Sequence, residues 1–308
     1  MPSHVPVLFR ETLAALEVEQ GGRHVLDGTF GGGGHTRGIL EAAPDNRVTA
    51  FDCDPEAQAR AEALQAEFGD RLHFVSANFD ELGDYVQASL DGVLFDFGLS
   101  SFHYDLPDRG FSFRFDGPAD MRLDTRRGRT AADFLENAAE QELVKAIRDY
   151  GEEPRWKPVL RAIVSARGTG KLQRTASLAE VVESAAAARH QKASRIHPAT
   201  RTFQGVRIAI NDELGVIERA LPQAFEVLRP GGILAVISFH SLEDRIVKRY
   251  FRRLAGQPEH GRDNRPQQER LVQAELLTRR PIEAGDEEIE LNPRSRSAKL
   301  RVLRKLPL

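Results

Sequence analysis

The sequence is poor in the residues that several function classes require. Its 308 residues include one cysteine, Cys53, one tryptophan, two methionines and four tyrosines. A single cysteine excludes an internal disulfide and a cysteine-based zinc cage. The nine histidines are scattered without ligand spacing, so no catalytic metal is expected. No apolar run approaches the ~20 residues a membrane helix needs, so no membrane partner is expected. The opening segment MPSHVPVLFRETL lacks a basic stretch, an apolar core and a small-residue cleavage site, and the expected location is cytoplasmic. Internal repeats and low-complexity linkers are missing as well. What is present suits an ordinary globular chain, with 41% hydrophobic and 29% charged residues. The length allows one large domain or two smaller ones.

A strong net charge is also lacking. The formal charge of −3 argues, taken alone, against a nucleic-acid partner. The average conceals an asymmetry. From Arg155 to Arg201 ten Lys/Arg, among them Arg189, Lys192 and Arg195, face only Glu180 and Glu183, a local charge of +8. A second basic set closes the chain with Arg294, Arg296, Lys299, Arg301, Arg304 and Lys305. One such stretch is accounted for by a solvated helix face. Two in an otherwise acidic chain point to phosphate binding.

The first hundred residues alternate strand and helix signals. HVLDGTF (24–30), RVTAFDCD (47–54), LHFVSANF (72–79) and DGVLFDFG (91–98) are short apolar runs, and helical spacing intervenes, as with Ala57, Ala61, Leu64 and Phe68. This alternation predicts a parallel sheet with helices on both faces. It resumes late, where Phe203, Val206, Ile210, Leu214 and Ile217 form one helical stripe. The segment LRPGGILAVISF then predicts a strand, Ile246 to Leu254 a helix, and SAKLRVLRKL (297–306) a last strand. Residues 105–196 break the pattern with helical stretches and no strand-like run. The expected organisation is therefore an α/β domain of residues 1–104 and 197–308, with a helical domain of 105–196 inserted.

Four consecutive glycines, Gly31 to Gly34, follow the first strand in LDGTFGGGGHT. A glycine turn at the carboxyl end of a strand in such a sheet is where ligands bind. No frame fits the G-x-G-x-x-G/A of a dinucleotide site, and no lysine follows as a nucleoside triphosphate loop requires. S-adenosylmethionine remains, with Asp27 ending the first strand and Asp52 the second. A carboxylate at Asp52 can accept two hydrogen bonds from ribose hydroxyls. The alternative is a tight strand-to-helix turn with no ligand. Asp96 ends the fourth strand and faces the same crevice, where it would position an exocyclic amine for attack on the cofactor's methyl group. Capping a helix is its other reading.

Eight segments then run in order: HVPVLFRETL, DGTFGGGGHT, FDCDP, DFGLSS, RGFSFRFDGPADMRLD, HPATRTFQGVRIAINDEL, RPGGILAVISFHSLEDRIVK and NPRSRSAKLRV. Over nearly the whole chain this series resembles the MraW family of bacterial small-subunit ribosomal RNA methyltransferases. The resemblance implies an α/β fold, a Rossmann-like S-adenosylmethionine-dependent methyltransferase domain with an inserted helical domain. It implies methylation of N4 of a cytidine in the decoding centre of 16S ribosomal RNA, with the small ribosomal subunit as partner and a homodimer as an open possibility. It also implies cofactor contacts from Gly33, Gly34 and His35, from Asp52 at the ribose, Phe79 beside the adenine and Asp96 at the methionine end. The family has a Gln just after the serine pair Ser100 and Ser101, where this chain has His103. Ser100 and Ser101 are themselves candidates for the catalytic site.

Other residues carry two readings each. Ser241, after His240, either caps the helix that follows or meets substrate. Phe111, Phe113 and Phe115 alternate as in a half-buried strand or form a base-stacking platform. Arg201 and Gln204 either face the site or lie at a hinge or surface. A non-catalytic factor that binds ribosomal RNA and retains the cofactor fold is the competing class. The three acids Asp27, Asp52 and Asp96 speak against it, and the +8 stretch speaks against a small-molecule methyltransferase.

Overall fold

The computed structural model describes residues 6–87, 89–99, 103–104, 106–186 and 197–307. The chain divides into two compact units, Met1–Gly98 with Leu214–Leu308 and Leu99–Glu213.

In the first unit helix α1 (Phe9–Ala15) precedes an alternation of strands and helices. Strand β1 (His24–Asp27) leads to α2 (Gly34–Ala42), β2 (Arg47–Phe51) to α3 (Ala57–Phe68), and β3 (Leu72–Val75) to the short α4 (Leu82–Tyr85) before β4 (Leu90–Asp96). These strands are nearly continuous apolar runs because helices cover both faces of a parallel sheet. Leu26, Phe51 and Phe95 point into one core, and Val25, Ala50 and Leu94 into the other. The seven strands run in the order β3-β2-β1-β4-β5-β7-β6. β1 pairs in parallel with both β2 and β4, so the strand order reverses between β1 and β4. The carboxyl ends of these two strands form the crevice at which open α/β sheets bind ligands.

The second unit is helical. It contains α5 (Ala131–Asn137), α6 (Glu140–Val144) running into a π-helical turn (Lys145–Tyr150), α7 (Trp156–Ala166), α8 (Thr175–Ala186) and α9 (Ala199–Asn211). Its boundary differs from the one expected at 196/197. α9 belongs to the helical unit because its backbone presses on the π-helical turn. A Cβ at Gly205 would lie 2.0 Å from the Ala146 carbonyl oxygen, and one at Gly151 would lie 2.5 Å from that of Arg201. The single stripe expected from Phe203 to Ile217 is likewise two helices. Asp212, at φ 48°, ends α9, and α10 (Glu213–Glu226) follows. Phe203 and Val206 serve the helical core, whereas Ile217 serves the sheet.

The first unit resumes with β5 (Leu228–Ser238), α11 (Ser241–Leu254), the edge strand β6 (Ala274–Leu276), α12 (Asp286–Leu291) and β7 (Lys299–Lys305), which runs antiparallel to β5. Much of the C-terminal basic set is spent on this architecture. Arg301 forms a two-pronged pair with Asp244 of α11 at 2.7 and 3.2 Å, and each residue is only 8% exposed. Arg304 pairs with Glu17 at 2.6 Å. The Lys305 ammonium donates to the carbonyl oxygens of Phe225, Glu226 and Leu228 at the end of α10. Desolvation there pushes its pKa down. Removing one member of a buried pair strands the other charge. Asp244→Ala is therefore expected to cost about 3–5 kcal/mol of stability, read from the denaturant midpoint of the purified protein.

Candidate functional site

The strand register sets the site. Asp27 pairs with Ala50 on β2 and with Leu94 on β4. Asp52 and Asp96 each stand two residues beyond those partners. Side chains two apart on a strand share a face, so all three carboxylates emerge at one end and on one side of the sheet. On that side the core holds Ile39 and Leu40 of α2 and Ala57 and Ala61 of α3.

Between β1 and α2 the chain turns through the glycines. Part of their purpose is internal packing. A Cβ at Gly28 would meet the Phe95 ring at 2.3 Å. Gly33, at φ 76°, is the N-cap of α2, and a Cβ there would meet the Phe30 ring at 2.8 Å. The Asp52 carboxylate fixes the loop by accepting the Gly31 N–H at 2.8 Å through Oδ2, while Oδ1 accepts that of Asp54 at 2.8 Å. Arg60 of α3 closes the other side, donating to the Gly31 carbonyl oxygen at 2.9 Å. No side chain caps α2, so the first N–H groups of this helix meet no side-chain acceptor from the N-cap. Such an end suits an anionic group.

The three acids differ in how far they are committed. Asp27, 1% exposed, accepts the Thr36 hydroxyl at 2.7 Å and the Thr29 N–H at 3.1 Å. Desolvation pushes its pKa up. Its role is to lock β1 to the first turn of α2. Asp96 takes a place in the same cluster: its backbone N–H donates to the Thr29 hydroxyl at 2.6 Å. Its carboxylate Oδ2 lies 3.4 Å from Nε2 of His35, whose ring stacks at 6.0 Å on Phe9. His35 is 5% exposed, yet neither ring nitrogen has a hydrogen-bond partner, and Asp96 Oδ1 is buried and equally unpartnered among the described residues. Buried polar atoms left in this state await a partner from elsewhere.

Phe79 lies four residues beyond the end of β3. Its ring sits 5.1 Å from that of Phe95 and 5.7 Å from that of Phe97. The neighbouring Asn78 holds Oδ1 buried without a partner among the described residues. Composition and periodicity gave no reason to single out Asn78; its position shortly after a strand, beside an aromatic residue, is the signal that was available.

The first unit holds Asp27, Gly33, Gly34, His35, Asp52 and Asp96 at the α2–α3 side of this sheet edge, and Phe79 packed against the core of the opposite face. Ser100 and Ser101 lie outside the described residues, as do Arg189, Lys192 and Arg195. His103 belongs to the second unit, where it is 6% exposed with its ring 5.1 Å from that of Phe111. Arg201 is exposed and Gln204 half-buried in the same unit. The phenylalanines 111, 113 and 115 form no strand. Phe111 is buried, Phe113 packs against His197 and Phe203, and Phe115 is 55% exposed. The cap of α11 is His240 rather than Ser241: its Nδ1 accepts the Glu243 N–H at 3.5 Å, and Glu243 returns the contact to the His240 N–H at 3.2 Å. Two arginines that no sequence pattern drew out, Arg126 and Arg127, stand on an exposed turn of the second unit.

The donor set fits S-adenosylmethionine. A carboxylate just past β2, a helix start at Gly33 without a side-chain cap, an aromatic ring beyond β3 and, among the described residues, an unpartnered carboxylate oxygen at the end of β4 are groups of the kinds that would suit its ribose, its amino-acid carboxylate, its adenine and an N–H donor. Such a crevice on a Rossmann-like sheet defines the class of S-adenosylmethionine-dependent methyltransferases. The chain matches the MraW methylase family over residues 1–306 and belongs to it. It is 49% identical to the ribosomal RNA small subunit methyltransferase H of Methylobacterium nodulans, covering 98% of this chain and 90% of that protein. The protein of the same name in Granulibacter bethesdensis is 46% identical, over 98% and 91% of the two chains. Among solved structures, a rRNA methylase from Streptococcus thermophilus superposes over 99% of both chains with a TM-score of 0.44 at 12% identity.

Asp52 holds the glycine loop through the Gly31 N–H, and if it also accepts the ribose hydroxyls as expected, Asp52→Ala removes charge-assisted hydrogen bonds of ~1.5–3 kcal/mol each. Titration calorimetry is expected to show S-adenosylmethionine affinity weakened at least about tenfold, the minimum for one such bond. Unchanged affinity would contradict the assignment.

Proposed function

We propose that this protein transfers the methyl group of S-adenosylmethionine to N4 of a cytidine in the decoding centre of 16S ribosomal RNA. Membership of the MraW methylase family supports the reaction class. The observation that carries the chemistry is the Asp96 carboxylate, which has one oxygen near His35 and the other buried without a partner. When bound, the cofactor supplies an electrophilic methyl group on a sulfonium sulfur.

The exocyclic amine of cytosine is a weak nucleophile because its lone pair is delocalised into the ring. Asp96 Oδ1 accepts one of its N–H protons, which turns the lone pair toward the methyl carbon. Orientation of this kind supplies up to ~7–11 kcal/mol of a barrier in ideal cases. As the N–C bond forms and the C–S bond breaks, the nitrogen becomes acidic, and its proton passes to Asp96 or to water. No strong base is needed. His35 Nε2 lies 3.4 Å from the other carboxylate oxygen, and Thr29 fixes the backbone from which Asp96 projects.

A cytidine within folded RNA must be turned out of its stack at a cost of a few kcal/mol. Basic residues of the helical unit supply that binding energy in this reading. The proposed setting is the cytoplasm, with the small ribosomal subunit as partner. A non-catalytic RNA-binding factor would have no use for an unpartnered carboxylate oxygen buried beside a histidine.

Methylation at C5 of cytosine would require a covalent cysteine adduct at C6, and Cys53 is the only thiol. It follows Asp52, on the ribose side of the crevice. Incubation with small-subunit ribosomal RNA or subunits is expected to yield N4-methylcytidine on nucleoside mass spectrometry, and Cys53→Ser is expected to retain turnover. A C5-methylated product, or a folded Cys53→Ser protein without turnover, would refute the reading.

A further inference from the structure

The turn between Asp120 and Ala131 is built as a presentation device. In the ten residues from Met121 to Thr130 four arginines face one aspartate, in a chain whose total charge is −3. The turn has no regular secondary structure, and its ends are fastened. The Ala131 N–H donates to the Asp120 carbonyl oxygen at 2.7 Å, and the Met121 N–H to that of Arg109 at 2.9 Å. Compact loops closed at the neck in this way are often functional.

The backbone inside the turn is held at more points than a solvated loop requires. Arg109, itself 6% exposed, donates one guanidinium nitrogen to the carbonyl oxygens of Arg122 and Leu123, both at 3.0 Å. Asn211 of α9 accepts the Leu123 N–H at 2.8 Å and donates to the Met121 carbonyl oxygen at 2.8 Å. Met121 is 1% exposed and sits in the left-handed region at φ 61°. A non-glycine residue persists there only where its surroundings over-determine it. Arg122 is folded back onto Asp120 by two bonds of 2.8 Å.

At the tip, one buried acid gathers two exposed cations. Asp124, 9% exposed, accepts from Arg126 at 2.8 and 3.2 Å and from Arg127 at 2.8 Å, and also accepts the Arg126 N–H at 3.0 Å. The two guanidinium-bearing side chains remain 50% and 59% exposed. Neighbouring like charges repel, and freezing two long side chains costs entropy. Here both costs are met inside a turn whose backbone is already fixed. Gly128 beyond them, at φ 82°, has no atom of a described residue within 4 Å of an added Cβ.

We propose that Arg126 and Arg127 form a preorganised phosphate-binding pair that grips the sugar–phosphate backbone of the RNA substrate. The guanidinium fork matches phosphate oxygens, and two forks set by one carboxylate match closely spaced anionic groups along a strand. The stretch 121–130 is thereby a third basic element, separate from 155–201 and from the C-terminal set. The assignment rests on the reading that the substrate is ribosomal RNA.

The test measures binding of a small-subunit ribosomal RNA fragment to the full-length protein across a series of salt concentrations. Each neutralised phosphate contributes about 0.7 to the slope of log affinity against log salt for single strands. Arg126→Gln with Arg127→Gln is expected to weaken binding at least about tenfold at low salt and to flatten the slope by about 1.4, with S-adenosylmethionine affinity unchanged. The double lysine variant, which keeps charge but loses the fork, is expected to retain the slope and bind less tightly than the native protein. A glutamine variant with the native slope and affinity overturns the inference, as does a lysine variant with the glutamine variant's slope. A native protein that binds no ribosomal RNA overturns the functional reading, and the inference with it.

Discussion

The parallel pairing of β1 with β2 on one side and β4 on the other is the constraint from which the site follows. Opposite Asp27 stand Ala50 and Leu94, and two residues further on stand Asp52 and Asp96. A slip of one residue in either pairing would turn a carboxylate through the sheet into the opposite core, among Phe51, Phe95 and Leu26. The hydrophobic faces therefore specify the register, and the register places the acids. The placement of the three acids is in this sense a by-product of core burial on both faces of the sheet.

Three identical functional groups acquire different roles from their surroundings. Asp27 is enclosed and saturated by Thr29 and Thr36, so it serves as a joint between strand and helix. Asp52 stands at the rim, holding the N–H groups of Gly31 and Asp54. Asp96 is partly enclosed and has one carboxylate oxygen without a partner among the described residues. The glycines complete this division. Gly28 makes room for the Phe95 ring, whose packing fixes the end of β4, and Gly33 starts α2 with no side-chain cap. Bare backbone was needed as much by the aromatic core as by a ligand.

Much of this was legible in the sequence because buried parallel strands leave short apolar runs that end in acids at the ligand edge. The family resemblance rested on long motifs and was equally direct. What the sequence concealed has physical causes. The stripe from Phe203 to Ile217 keeps helical periodicity across Asp212 because each half has its own apolar core to satisfy. Periodicity cannot distinguish one helix from two in that case. Arg301, Arg304 and Lys305 read as a basic surface because partners such as Asp244 and Glu17 are distant in sequence. The arginine turn escaped notice because Asp116, Asp120, Asp124 and Asp133 cancel its four arginines over residues 116–133, although Asp120 and Asp124 fold the arginines into place. β6, three residues long, is too short for any period.

The central claim is that Asp96 presents an amine to the methyl group instead of merely ending a strand. Single-turnover methylation of small-subunit ribosomal RNA by Asp96→Asn, saturated with S-adenosylmethionine, tests it most directly. The account predicts a rate at least about 100-fold below that of the native protein, the scale of a misplaced reacting group. Hydrogen exchange should show β4 and its neighbours as protected as before. A folded variant that methylates at the native rate would contradict it.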